Sequence, residues 1–113
     1  MRSFAQCLDL VDDPRLIEAY DDLHRRVWPE VVQALRSIGV ERMRIFRRGT
    51  RLFMYMETTD GFDPARDYQA YADQPRCREW DEQMRRFQRQ VPGAPPDSWW
   101  APMALVFDLE GTD

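Results

Sequence analysis

Three residues whose side chains could do chemistry follow one another at four-residue intervals. Tyr20, His24 and Trp28 lie in the run Tyr-Asp-Asp-Leu-His-Arg-Arg-Val-Trp-Pro-Glu, and His24 is the only histidine among the 113 residues. Residues four apart share one face of a helix, so Tyr20 and His24 should project side by side. Histidine has an unperturbed pKa of about 6.5, which makes it both an acid and a base near neutral pH. The spacing therefore indicates proton transfer at His24.

A structural role is the ordinary alternative for a histidine on a helix face, but three features favour a functional role for His24. It lies close to Pro29, which must break the helix and can open a pocket. The last turn of a helix favours the charged imidazolium. Tyr20 and Trp28 also flank it with rings and a hydroxyl, a surface that suits a small polyol such as a sugar, which has apolar C–H faces and hydrogen-bonding edges.

The other aromatic and acidic residues have structural interpretations that we favour over functional ones. Glu30 could orient His24, yet a carboxylate in the first turn of a helix also complements the helix dipole. A single tryptophan at helical spacing is more often core than ligand platform. The favoured interpretations are core packing for Trp80, packing of the loop at a dimer boundary for Trp99 and Trp100, dipole complementation for Glu30, and a solvated helix face for Asp21 and Asp22.

The composition limits the class of protein. A chain of this length forms one domain, residues 1–113, with room for a single site. A formal net charge of -4, with sixteen basic residues that are all arginine and spread along the chain, argues against nucleic acid as a partner. No stretch approaches the roughly 20 apolar residues of a membrane span. Cys7 and Cys77 lack the spacing of a zinc site. We therefore expect a cytoplasmic protein with reduced thiols that uses neither a metal nor another cofactor.

Hydrophobic periodicity and turn residues divide the chain into strands and helices. Apolar residues recur at three- and four-residue intervals in two regions, and a proline splits each of them. Gly49-Thr50 separates two alternating segments and predicts a two-residue hairpin turn. The predicted strands are 3–10, 40–48, 51–58 and 103–109; the predicted helices are 14–27, 29–38 and 64–90, the last split at Pro75; and 92–97 is a predicted loop.

This order predicts an α+β protein with the ferredoxin-like arrangement β-α-β-β-α-β, a four-stranded antiparallel sheet with its helices on one face. The third strand, however, is apolar on both sides, whereas a sheet with one face in water should alternate. A chain this short has no further helix to cover the second face. We therefore expect a homodimer, packed sheet on sheet as a dimeric α/β barrel, or else a ligand cavity at that face.

The residues around His24 resemble the L-rhamnose mutarotase family of small dimeric sugar mutarotases. The family motif is Tyr-x-x-x-His followed by Trp-Pro-Glu on the first helix, and this chain has Tyr20-Asp-Asp-Leu-His24 and Trp28-Pro29-Glu30. The likeness extends over nearly the whole chain. Its further matching segments are Leu35-Arg-Ser-Ile-Gly39, Leu52-Phe-Met-Tyr-Met-Glu57, Cys77-Arg-Glu-Trp80 and Val106-Phe107.

The resemblance implies a ferredoxin-like isomerase that interconverts the α and β anomers of a 6-deoxy-hexose by general acid-base ring opening. It implies that His24 is the proton donor, that Tyr20 contacts the sugar and that Trp80 stacks on it. Two positions depart from the family pattern, since Met43 stands in place of a substrate-contacting tyrosine and Asp81 in place of a second tryptophan. The sugar could therefore be L-rhamnose, L-fucose or a related sugar.

Two other functions suit the same fold. Dimeric ferredoxin-like domains also resemble small cofactor-independent monooxygenases and haem-handling proteins, in which a single histidine could be a haem ligand. A non-catalytic sugar-binding domain is the third alternative. Accelerated exchange of sugar anomers would distinguish the mutarotase from both.

Overall fold

The computed structural model describes residues 1–96 and 98–111. Each predicted helical region is divided in two at its internal proline, and the order β-α-β-β-α-β is confirmed. The elements are β1 (Arg2–Leu10), α1 (Pro14–His24), α2 (Pro29–Ser37), β2 (Val40–Arg48), β3 (Arg51–Thr58), α3 (Pro64–Ala72), α4 (Pro75–Arg85), β4 (Gln88–Arg89) and β5 (Ala101–Pro102).

Each of these four helices begins at a proline. Proline is suited to the first helical position because its fixed φ is helical and its missing N–H would have no partner there. Asp13 caps α1 by accepting a hydrogen bond from the backbone N–H of Arg15 at 2.9 Å, and Asp63 caps α3 in the same way through Ala65 at 3.1 Å. The dipeptide Asp-Pro therefore marks the start of both α1 and α3 in the sequence.

The first helix ends earlier than predicted. It stops at His24 rather than at residue 27, and the N–H groups of Arg25 and Arg26 donate to carbonyls only three residues back, which closes the last turn tightly. Trp28 has φ -58° and ψ 135°, the extended geometry that a following proline imposes. The break therefore spans four residues, and His24 lies at the very end of its helix.

The strands form one antiparallel sheet in the order β2-β3-β1-β4, with β5 also paired to β1. Strand β4 pairs with β1 at Leu10, and β5 pairs with β1 at Cys7. Because β3 occupies the other edge of β1, both short strands lie on the same edge. The sheet therefore has four strand positions, the last shared by two segments. This is the strand arrangement of the ferredoxin-like fold, so the predicted fold class is confirmed.

Two segments differ from their predicted structure. The second helical region ends at Arg85 instead of residue 90, and Gln88–Arg89 returns to the sheet as β4. The predicted strand 103–109 is wrong, since the only ladder bond beyond β5 runs from the Met103 N–H to the Ala5 carbonyl in the described part of the chain. Its alternating apolar residues have no neighbouring strand within the chain and are exposed. Of the predicted loop 92–97, residue 97 lies outside the described residues.

The two faces of the sheet have different surroundings. On β3, Leu52, Met54 and Met56 are buried under the helices, whereas Phe53 and Tyr55 on the opposite face are only partly covered. Phe46 on the neighbouring strand is 54% exposed and packs against Phe53 with ring centroids 6.1 Å apart. The hydrophobic core thus lies between the helices and one face, and the other face presents apolar rings to the surface.

Candidate functional site

A cavity of about 220 Å³ opens between the end of α1 and the β2–β3 hairpin. Ligand cavities for drug-sized molecules are larger, roughly 300 Å³ or more, so this one suits a small ligand. Its wall combines two aromatic side chains that can exchange protons, two apolar side chains and an ion pair. The lining residues are Tyr20, Asp21, His24, Arg25, Ile45, Arg47 and Leu52.

The predicted pair of Tyr20 and His24 comes together in this wall. Their ring centroids are 4.2 Å apart. The Nδ1 atom of His24 lies 2.9 Å from the backbone carbonyl of Tyr20. A carbonyl can only accept, so the hydrogen of the neutral ring must be on Nδ1. The lone pair of Nε2 is then available as a base.

Burial, more than the helix dipole, sets the charge of His24. Loss of solvent lowers the pKa of His24 below its usual value of 6.5, although the Tyr20 carbonyl and the Asp21 carboxylate both act in the opposite direction. The sequence argument from the helix dipole expected the charged form. The structure instead favours a neutral imidazole near pH 7, which is the form that accepts a proton.

The Tyr20 hydroxyl keeps its proton at neutral pH. Its side chain is 3% exposed, and burial raises the pKa of Tyr20 to about 12. Behind it lies a hydrogen-bonded chain that the sequence did not reveal. The indole N–H of Trp99 donates to Oε1 of Gln88 at 2.7 Å, and Nε2 of Gln88 lies 3.3 Å from the Tyr20 hydroxyl. Trp99 therefore does more than pack.

Trp80 and Trp28, the two tryptophans predicted to contact a ligand, instead pack in a row that ends at His24. Trp80 is 5% exposed and meets His24 edge-on at 5.6 Å and Trp28 at 5.2 Å. The guanidinium of Arg76 covers the Trp28 ring at 3.9 Å from its centroid. Arg76 also donates to Glu30 at 2.8 Å, so the structure gives Glu30 an ion-pair role. Among the described residues, neither tryptophan lines the cavity.

An ion pair between Asp21 and Arg47 forms part of the cavity wall. Both carboxylate oxygens of Asp21 accept from Arg47, at 3.1 Å from Nε and 2.6 Å from Nη2. These hydrogen bonds lower the pKa of Asp21. Asp21 is partly exposed, as a solvated helix face requires, but the sequence did not reveal its ion pair, because the partner lies 26 residues away.

The two positions that depart from the family pattern lie away from the cavity wall as described. Met43 faces Met56 across the sheet and packs in a second cluster beside Phe62. Asp81 accepts a hydrogen bond from the Tyr71 hydroxyl at 3.1 Å, and burial raises the pKa of Asp81.

In residues 1–96 and 98–111, no group of three or more histidine, cysteine, aspartate and glutamate side chains is arranged to hold a metal ion. Within the same part of the chain, no helix has the length and apolar character needed to cross a bilayer.

Fold and site together define a small ferredoxin-like α+β protein in which Tyr20 and His24 contact each other at a small cavity beside the end of the first helix. The L-rhamnose mutarotase family model matches residues 3–109. The chain therefore belongs to the L-rhamnose mutarotase family, and it is an isomerase that acts on sugar anomers. The expected family is confirmed, and the monooxygenase or haem-handling alternative is not favoured.

Two relatives match nearly the whole chain. A UPF0734 protein of Dictyostelium discoideum is 49% identical over 113 residues, covering 96% of this chain and 90% of the relative. An L-fucose mutarotase of Xanthomonas campestris pv. campestris is 40% identical over 111 residues, covering 96% of this chain and 89% of the relative. The second relative is a sugar mutarotase.

Solved structures with low sequence identity share the fold. An L-rhamnose mutarotase from Formosa agariphila superposes with a TM-score of 0.70 at 22% identity, covering 97% of this chain and 100% of that one. The tetracenomycin F2 cyclase of Streptomyces glaucescens gives a TM-score of 0.68 at 18% identity, with coverage of 99% and 100%. Proteins with different named activities thus share this architecture, so function must be argued from the site.

Proposed function

We propose that the protein interconverts the α and β anomers of a 6-deoxy-hexose, L-rhamnose or L-fucose. The observation that carries this proposal is the contact of Tyr20 with His24 in the wall of a small cavity, one group a protonated donor and the other a free base. The similarity to an L-fucose mutarotase at 40% identity supports the substrate class. Mutarotation needs only proton transfer, which these two groups supply.

The reaction follows from the protonation states of the pair. As the bond between C1 and the ring oxygen breaks, Nε2 of His24 takes the proton of the anomeric hydroxyl, and the ring oxygen becomes an alkoxide. The Tyr20 hydroxyl donates a hydrogen bond to this alkoxide while the imidazolium delivers the proton to it. Rotation of the C1 aldehyde and the reverse steps on its other face give the second anomer. The proton count balances without another reactant.

Trp80 and Trp28 act in this proposal through His24. The family resemblance assigns sugar stacking to Trp80 and the sequence spacing placed Trp28 beside the sugar. Because both rings are packed against each other, and Trp80 also against His24, we assign them the support of the imidazole. Fixing a catalytic ring in one orientation is how such surrounding residues contribute to proton transfer.

Saturation-transfer NMR of anomer exchange tests the proposal directly. The wild-type protein should accelerate exchange of L-rhamnose or L-fucose above the uncatalysed rate, and His24→Ala should lower that acceleration by about 10² to 10⁴, the usual contribution of a general acid-base group. Arg36→Ala, at an exposed position on α2, is the control and should match wild type. Equal rates for wild type and His24→Ala would show that His24 is not the catalytic group.

We also propose that the protein is a homodimer packed through the open face of the sheet. Phe46 and Phe53 form an apolar patch on that face. The extended residues 103–109 expose Leu105, Val106 and Phe107, apolar surface of a kind that marks an interface. Sedimentation equilibrium should give twice the 13.5 kDa mass of one chain. A single-chain mass at micromolar concentration would refute the dimer.

A cytoplasmic location is the remaining part of the proposal. Cys7 and Cys77 are both free thiols in the structure, and Cys77 is buried. Free thiols persist in reducing compartments. Fractionation of the cells that make the protein should recover it with cytoplasmic markers, and recovery with secreted or membrane fractions would contradict this location.

A further inference from the structure

Gln88 is a buried polar side chain that connects two aromatic residues behind the cavity. It lies on β4 opposite Leu10, on the helix-covered face of the sheet, and it is 9% exposed. Its amide contacts the Trp99 indole on one side at 2.7 Å and the Tyr20 hydroxyl on the other at 3.3 Å. A buried amide whose two ends are both engaged is held in one orientation.

The donor and acceptor groups of Trp99, Gln88 and Tyr20 fix the direction of both hydrogen bonds that join them. An indole N–H can only donate, so the Gln88 atom that faces Trp99 must be the carbonyl oxygen. The amide nitrogen then faces Tyr20 and can only donate, so the Tyr20 oxygen must accept. The hydrogen of the Tyr20 hydroxyl is therefore not used by Gln88. Tyr20 is also one of the residues that line the cavity with His24, so this hydrogen is the one that Tyr20 has left to donate to a ligand.

We propose that Gln88 is a positioning residue for catalysis, which holds the Tyr20 hydroxyl with its hydrogen directed at the sugar. The inference rests on the proposed mutarotase function, because the acceptor in the cavity is the sugar oxygen that becomes an alkoxide. Trp99 locks the amide from behind and prevents the inverted orientation, in which a carbonyl oxygen would accept the tyrosine hydrogen. Each hydrogen bond in this series is therefore donated toward Tyr20, from Trp99 to Gln88 and from Gln88 to the tyrosine oxygen.

Gln88→Glu tests this direction with almost no change of shape. The carboxylate can still accept from Trp99, but its second oxygen can only accept from Tyr20, so the hydroxyl turns away from the cavity. We expect kcat for anomer exchange to fall about tenfold with KM nearly unchanged, since the lost bond forms to the alkoxide rather than to the bound sugar. Gln33→Glu, which adds the same charge at an exposed position of α2, should retain wild-type rates. An unchanged kcat in Gln88→Glu would overturn the proposal.

A double-mutant cycle separates positioning from general damage to the fold. In a Tyr20→Phe background there is no hydroxyl to direct, so adding Gln88→Glu should change kcat by less than about twofold. The same tenfold loss in both backgrounds would show that Gln88 acts by another route, and would overturn the proposal. Circular dichroism and thermal melting confirm that each variant is folded.

Tyrosine labelled at its Cζ carbon gives a readout that does not depend on activity. In Gln88→Leu, which avoids a buried charge, the Tyr20 signal should shift while that of Tyr68 stays in place; Tyr20→Phe assigns the Tyr20 signal among four tyrosines. An unmoved Tyr20 signal would refute the hydrogen-bonded chain. If the Tyr20 signal shifts but wild-type protein accelerates no anomer exchange, the hydrogen bonds are present and the proposed mutarotase function is wrong. The two measurements therefore distinguish a failure of the hydrogen-bonded contact from a failure of the proposed function.

Discussion

In the proposed mechanism the two ring nitrogens of His24 have different tasks, because Nδ1 is held in a hydrogen bond and Nε2 exchanges the proton. Nδ1 is held 2.9 Å from a carbonyl of its own helix, so proton exchange with a substrate is confined to Nε2. Burial keeps the ring neutral near pH 7, which makes it a base at rest. The buried Tyr20 hydroxyl, which keeps its proton, complements that base.

The lowered pKa of His24 predicts the pH dependence of the rate. Protonation removes the base, so kcat/KM should fall as the pH drops through the pKa of His24, and this fall should be centred below pH 6.5, with a plateau above it. Saturation-transfer NMR between pH 5 and 8, corrected for uncatalysed exchange, measures the profile. A fall centred above pH 6.5 would contradict the assignment.

The imidazole signal of the only histidine gives the same pKa independently. Asp21→Asn should lower this pKa further, because the Asp21 carboxylate stabilises the charged ring. The same depressed pKa makes the unfolded state bind more protons between the folded-state pKa and 6.5. The contribution of His24 to stability is therefore complete above pH 6.5 and is lost as the pH falls through the folded-state pKa.

The local site could be predicted from sequence, and its surroundings could not. Tyr20 and His24 are four residues apart, so helix geometry alone brings them together. The contact of Gln88 with Tyr20 joins residues 68 apart, and the Asp21–Arg47 pair spans 26 residues. Such pairs depend on strand order and on how α1 lies over the sheet, which no local periodicity records.

At the scale of elements, one ion pair attaches the end of α1 to the hairpin. Arg47 binds Asp21 with two nitrogens and also donates from Nη1 to the Gly49 carbonyl at 3.0 Å. It therefore ties the helix that carries the acid-base pair to the β2–β3 turn. Gly49 has φ 57°, a conformation that glycine adopts without strain, so the turn itself is well defined.

Arg47→Gln should reduce activity more than stability. The pair is about one-third exposed at both ends, and ion pairs at such sites contribute roughly 0.2–1 kcal/mol to folding. Misplacement of α1 relative to the sheet, however, disturbs the catalytic geometry, and we expect kcat/KM to fall several-fold. Anomer-exchange rates and urea unfolding measure the two effects.

Arg36→Gln is the matched control, since Arg36 is an exposed arginine of α2, and it should change neither quantity. A loss of stability with unchanged activity in Arg47→Gln would show that the ion pair does not position the helix for catalysis.

The predicted elements agree with the structure where prolines and alternation mark them. Both internal breaks fall at a proline, and the β2 and β3 bounds are as predicted. The misjudged elements are the ones without a local signature. Strand β4 has two residues, too few for any periodicity. Residues 103–109 have the pattern of a strand, but they pair with no strand in the described part of the chain.

At the scale of the whole molecule, the uncovered face of the sheet and the exposed residues 103–109 have opposite charge. The face carries Arg42, Arg44 and Arg48 beside Phe46, whereas the exposed segment carries Asp108 and no basic residue. A second copy could therefore satisfy both surfaces at once, since its segment can lie along this face. A C₂ dimer repeats the same contact twice.

If the protein is the homodimer that we propose, Phe46→Glu should convert it to a monomer. A carboxylate replaces the most exposed ring of the patch, so association would require its desolvation. Sedimentation equilibrium should show the single-chain mass with an unchanged circular dichroism spectrum. Glu41→Gln, a charge change of the same size at an exposed position of β2, is the control and should leave the dimer intact. A dimeric Phe46→Glu protein would place the interface elsewhere.

The edge of the sheet beside β1 offers a place to engineer the protein. Strands β4 and β5 share that edge but are separated by eleven residues, so the ladder is already interrupted there. A peptide tag or reporter inserted after Gly93, a turn glycine with φ 83° and open space around it, would lengthen a loop without shifting any strand register. A fluorophore at this point would lie close to Trp99 in sequence, at a position that is not among those lining the cavity in the described part of the chain.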